Sequence, residues 1–214
     1  MKSKLFTAAL AALMLSSCTP KENGYFDNLP QEANPIEIGN KITNRFLEQG
    51  HSQYGSPLRV NEPRTQITYP DVCTWLGGLW FAQETDNKEL TERLKARFEP
   101  LFTNEAYLQP KPNHVDNNVF GAVPLELYLQ TGEERYKTLG MMYADSQWEL
   151  PANWKLKEGE ERQSSMYGDF KDADICQPEQ KEWADKGYSW QTRFWLDDMY
   201  MITTIQAQAY RVTN

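Results

Sequence analysis

From Ile36 onward, hydrophobic positions recur at steps of three and four: Ile38, Ile42, Phe46 and Leu47 fall on one helical face. A turn-rich stretch, "GHSQYGSPLRVNEPRTQITYP", separates this helix from a second one expected over Val72 to Glu84. The pattern then repeats. "WLGGLWFAQETDNKEL" (75 to 90), "VFGAVPLELYLQTGEERY" (119 to 136) and "MITTIQAQAYRVTN" (201 to 214) each run an apolar helix with small residues into a Thr followed by Asp, Gly or Asn. In the first two a second helix is expected after the turn, over Glu89 to Phe98 and Glu133 to Trp148. The three threonines, Thr85, Thr131 and Thr213, are spaced by 46 and then 82 residues. The longer gap holds the segment from Leu150 to Tyr188, charged, broken by Pro and Gly, and without a sustained apolar stripe, so it reads as an inserted extended loop. Helical hairpins with a period in the forties imply stacked αα units, each burying its apolar face on its neighbours. Strand signals are nearly absent, so the fold class is all-α, either an open solenoid or a closed toroid.

Composition narrows the function classes. The chain has 214 residues, 40% of them hydrophobic and 13% aromatic, enough to fill the core of one domain. Its formal net charge of −8 and the lack of any basic run argue against a nucleic-acid surface. Residues 1–17 differ from the rest: Lys2 and Lys4 precede an apolar stretch from Leu5 to Leu15, as in an export signal too short to span a bilayer stably. Its ending, Leu15-Ser16-Ser17-Cys18, resembles a bacterial lipobox, which makes Cys18 the lipidated first residue of an exported, membrane-anchored lipoprotein on the periplasmic or outer side. Removing residues 1–17 leaves 20 basic against 30 acidic residues, a formal −10. Residues 18–35, rich in Pro, Asn, Gly and Glu, read as a flexible spacer, and the ordered domain is expected over 36–214. Cys73 and Cys176 could pair in an oxidising compartment or stay separate thiols. With only His51 and His114, no zinc site of ordinary spacing is expected, and no cofactor is implied.

Chemistry is most legible in the carboxylates. Asp116 in "HVDNNVFG" stands 15 residues before Thr131; Asp198 and Asp197 in "RFWLDDMYM" stand 15 and 16 residues before Thr213. If equivalent helix mouths face one axis, Asp116 and one of the later pair converge. Neighbouring helical residues point about 100° apart, so Asp197 and Asp198 are not a proton-sharing dyad; one faces in and one out. Asp197, on the line of Phe194 and Met201, is expected inward, where an apolar pocket would raise its pKa toward that of a general acid, with Asp198 its solvated neighbour. Helix capping is the competing reading: Asp197 or Asp198 would cap a helix beginning near Met199, and Asp116 the helix after it.

"VDNNVFGAVPLELYLQTGEERY" together with "WLDDMYM" resembles the unsaturated glycuronyl and rhamnogalacturonyl hydrolases, glycoside hydrolase families 88 and 105. In them an aspartate before a Gly-containing helix and a "TGDxxY" turn is followed by a "W-[hydrophobic]-D-x-[LM]-[YF]-M" motif. The segment "TWLGGLWFAQETDN" is similar to the preceding hairpin, and the likeness covers about residues 36 to 214. The resemblance implies a six-hairpin (α/α)6 toroid, of which this chain would hold about the first half. It also implies a glycoside hydrolase acting on oligosaccharides with a non-reducing unsaturated uronic acid. Asp197 would protonate C4 of the C4=C5 bond and activate water at C5, and Asp116 would position water or sugar hydroxyls. Trp195 would stack on the sugar, and Lys186 falls near a lysine that precedes the motif, one residue off in spacing.

Two departures accompany the likeness. The insertion at about 150–188 is longer than in simple members. Thr213-Asn214 also falls in a repeat turn, where the family's toroid continues for about as many residues again; the chain alone is then expected to be inactive, with an exposed apolar face. The alternative is a non-catalytic, glycan-binding helical-repeat surface lipoprotein.

Overall fold

The computed structural model describes residues 29–51, 65–150, 155–156, 175–176, 178–191 and 195–214. The expected export signal, Cys18 and most of the spacer lie outside the described residues, as does much of the 150–188 insertion. Two compact units divide inside the first helix, residues 1–41 and 42–214. Of the first unit the described part is a 3₁₀ turn, Gln31–Ala33, and the start of α1 (Pro35–Glu48). Asn34 opens that helix, its Oδ1 accepting from Ile36 N at 2.8 Å, with Pro35 at the first helical position, where its missing N–H costs nothing.

In the larger unit the described chain is predominantly α-helical, in keeping with the all-α class. Two hairpins, α2 (Tyr69–Glu84) with α3 (Lys88–Phe98) and α5 (Ala122–Thr131) with α6 (Glu134–Asp145), are followed by a long helix, α8 (Leu196–Thr213). A one-turn helix, α4 (Val115–Asn118), leads through a 3₁₀ turn, Val119–Gly121, into α5. Pro124 explains that break, because it offers no N–H to the carbonyl one turn back. Helices α2, α5 and α8 lie side by side with α5 in the middle, α3 and α6 back the hairpins, and α8 also packs on α4 and α6.

The repeated threonines play one structural part. Thr85, Thr131 and Thr213 each donate Oγ1 to the carbonyl four residues back, Phe81, Leu127 and Ala209, at 2.7, 2.7 and 2.8 Å. Each hairpin turn then finds its own chemistry. Asn87 Oδ1 caps α3 through Leu90 N at 3.0 Å, and Gly132 closes α5 with φ 74°, a left-handed conformation that glycine adopts without penalty. Between hairpins the core is a chain of rings: Phe46 on Trp75, Trp75 on Phe98, Phe98 on Phe120, Phe120 on Tyr143, with centroids 5.1 to 5.6 Å apart. Helix α1 contributes Phe46 and Thr43 to this interior, whereas Ile42, expected on the same buried face, is exposed.

The segment expected as an extended loop contains a helix, α7 (Pro178–Asp185), and a parallel pair of two-residue strands, β1 (Lys155–Leu156) with β2 (Ile175–Cys176). Past α7, Ser189, Trp190 and Gln191 are buried: Ser189 Oγ donates to Gln147 O at 2.8 Å and Trp190 Nε1 to Ser146 O at 2.8 Å. No described helix is long and apolar enough to cross a membrane.

Candidate functional site

Asp197 and Asp198 occupy the first turn of α8, which starts at Leu196, three residues before the expected start at Met199. Their environments are the reverse of the sequence-based expectation. Asp198 is fully buried, while Asp197 is exposed with its Oδ1 accepting from the Asp198 N–H at 3.0 Å. The cause is the helix's orientation: Ile202 and Ile205, one and two turns along the face of Asp198, are the side chains pressed into the core. Neither carboxylate is the N-cap; Trp195 holds that position in extended conformation, and its side chain makes no capping bond. Both negative charges still lie at the positive end of the helix dipole, which favours them. Trp195 is 46% exposed, and Leu196, Met199 and Tyr200 around it are open as well.

Asp116 lies in α4, which packs against α8. The cap of α4 is His114, whose Nδ1 accepts from Asp116 N at 3.2 Å and stands 3.6 Å from Asp116 Oδ2. Asp116 itself is half-buried. Two carboxylates 81 positions apart in sequence are therefore carried on helices in contact. Lys186 does not join them as a free cation: its Nζ pairs with Glu182 Oε1 at 2.5 Å, one turn back, and that carboxylate raises its pKa. Cys73 is a free thiol on α2, pushed up in pKa by burial and partly relieved by a hydrogen bond with Tyr200 of α8, so it is a poor nucleophile. No family model, curated protein or solved structure matches this chain.

One charged residue escaped the sequence reading. Glu126, fully buried in the middle helix α5, gathers partners from all three helices of the row. Its Oε2 accepts from Trp80 Nε1 at 3.0 Å, Gln208 Nε2 at 2.6 Å and Arg211 Nη1 at 2.8 Å, and its Oε1 from Gln130 Nε2 at 2.9 Å. Burial alone would push its pKa up. The donors from Gln130, Gln208 and Trp80 and the charge of Arg211 more than offset this and hold it below the usual glutamate value. Trp80, Glu126 and Gln208 are 46 and 82 residues apart, the same intervals as the three threonines. Equivalent positions of three repeats thus bond to one another across the row, a signal already present in the spacing.

A second polar network lies where α4, α6 and α8 meet. Asn118 Nδ2 donates to Tyr143 O and Ser146 Oγ, and Gln206 Nε2 to Ala144 O and Gln147 Oε1. Together with Ser189 and Trp190 these bonds tie the end of α6 to the segment leading into α8. Chemically, the α4–α8 region offers two accessible carboxylates and an exposed indole on a fixed helical frame. That set can exchange protons and hold a ring.

Proposed function

We propose that this protein is a glycoside hydrolase that acts on oligosaccharides ending in an unsaturated uronic acid, by hydrating the C4=C5 bond. The observation that carries the reading is the packing of α4 on α8, which sets the helix of Asp116 against the helix of Asp197. In this reading Asp197 donates its proton to C4, a water molecule adds to C5 as Asp197 recovers a proton from it, and the resulting hemiketal opens to release the aglycone. Asp116 orients the water or the sugar hydroxyls. Trp195, half open beside them, supports the ring. Lys186 would reach an anionic substrate only by leaving Glu182.

The hairpin row is the first part of an (α/α)6 toroid in this reading, with the protein tethered outside the cytoplasm through Cys18. The mature protein purified from its host should abolish the ultraviolet absorbance of an unsaturated uronyl disaccharide and leave a saturated nitrophenyl uronide intact. Cleavage of the saturated compound at a comparable rate would overturn the hydration chemistry.

A further inference from the structure

The helices that back the two hairpins turn charge to the solvent: Lys88, Glu92 and Arg93 on α3, and Glu134, Arg135 and Asp145 on α6. The outer face of α8 is different. Its buried side is set by Ile202, Ile205 and Ala209, and the line opposite them runs through Leu196, Tyr200, Thr203, Ala207 and Tyr210, all exposed. Leu196 is 90% exposed and Tyr210 68%. These positions recur at steps of four, three, four and three, the spacing of a coiled-coil seam. The seam follows the 18-residue helix for about 27 Å of its axis and carries no charge. The two accessible charges of α8 stand on one flank of it, Asp197 in the first turn and Arg211 in the last. Within the chain Arg211 uses only Nη1, on Glu126 Oε2 and Gln208 Oε1.

We propose that α8 pairs antiparallel with α8 of a second copy of this chain along this seam. About a two-fold axis at Thr203, Leu196 falls opposite the partner's Tyr210, and Tyr200 opposite the partner's Ala207, a large side chain over a small one. An axis perpendicular to the helix pair keeps each flank on its own side, so Asp197 meets the partner's Arg211, and by symmetry the contact occurs twice. Charge therefore selects the antiparallel arrangement: parallel pairing would set Arg211 against the partner's Gln206 and leave Asp197 unmatched. One seam of this length is short for an obligate interface, so the dimer exchanges with free protein. The pairing needs nothing from the reaction proposed for Asp197 and, by occupying that carboxylate, makes the dimer a resting form in that reading.

The test is disulfide trapping in the mature protein, in host membranes and again after purification. Thr203→Cys, at the axis, should give a species of twice the chain mass on mild oxidation, whereas Thr138→Cys, exposed on α6, should stay single. Adding Tyr210→Glu, a change at an exposed position that would bury a carboxylate opposite the partner's Leu196, should abolish the link with unchanged helical circular dichroism. A link within one chain to Cys73 or Cys176, a link to a different protein, equal linkage of Thr138→Cys, or no link at all would overturn the pairing. None of these outcomes reads the hydration chemistry, so the dimer and the reaction stand or fall separately.

Discussion

Glu126 stays ionised where burial by itself favours the neutral acid, because four donors converge on it. Its folded pKa lies below the unfolded value, so its stabilisation is present above about pH 4.3 and is lost as pH falls through the folded value. Glu126→Gln places an amide among those donors and should cost about 3 kcal/mol in urea unfolding at neutral pH, with a shallower acid limb. His51 works with the same sign. Burial lowers its pKa against the opposing pull of Glu105, whose Oε2 is 2.5 Å from Nδ1, with Arg97 lowering it further and Asp71 raising it. Acidification from about pH 6.5 should therefore destabilise the fold, and His51→Gln should flatten that part of the stability profile. Sequence spacing correctly set Asp197 and Asp198 on different faces of a helix, one inward and one outward. Which of them faces inward was illegible, because it depends on how α8 rolls onto the core, and that is fixed by Ile202 and Ile205 meeting partners distant in sequence. Asp198→Asn consequently tests stability, since the carboxylate it alters is buried.

Among the described elements, a tight junction lies between α6 and the 3₁₀ turn leading into α5. A Cβ on Gly140 would stand 2.4 Å from Leu125 Cγ and 2.8 Å from the Gly121 carbonyl, and one on Gly121 would stand 2.5 Å from Tyr143 Cβ. Gly140→Ala has no room to relax against backbone and should destabilise by about 2 kcal/mol or more, read as a lowered midpoint in chemical denaturation. The hairpins themselves were legible because each turn couples an apolar helix to a Thr and then to a residue suited to its turn, Asn87 or Gly132. Helix α7 was not, for a different reason. "PEQKEWAD" has no apolar stripe to detect, and the pairing of Lys181 with Asp185 one turn on supports the helix locally.

At the scale of the molecule, repetition made the all-α row readable, while the meeting of Trp80, Glu126 and Gln208 at one repeat phase went unread although the same spacing carries it. Periodicity carries no curvature, so the same pattern suits an open stack or a closed ring. Charge belongs to this scale too: in the proposed reading an acidic molecule that takes a uronate must focus positive charge locally, and Lys186 is occupied by Glu182. In the proposed reading a carboxylate at the head of α8 drives hydration of an unsaturated uronate, and this makes a direct kinetic prediction. It is tested most directly by following the ultraviolet absorbance of an unsaturated uronyl disaccharide with the mature host-purified protein and its Asp197→Asn variant. A loss of absorbance that slows by about 10² to 10⁴-fold in the variant, with thermal stability unchanged, is the predicted result; equal rates for the two proteins, or no loss with either, would contradict it.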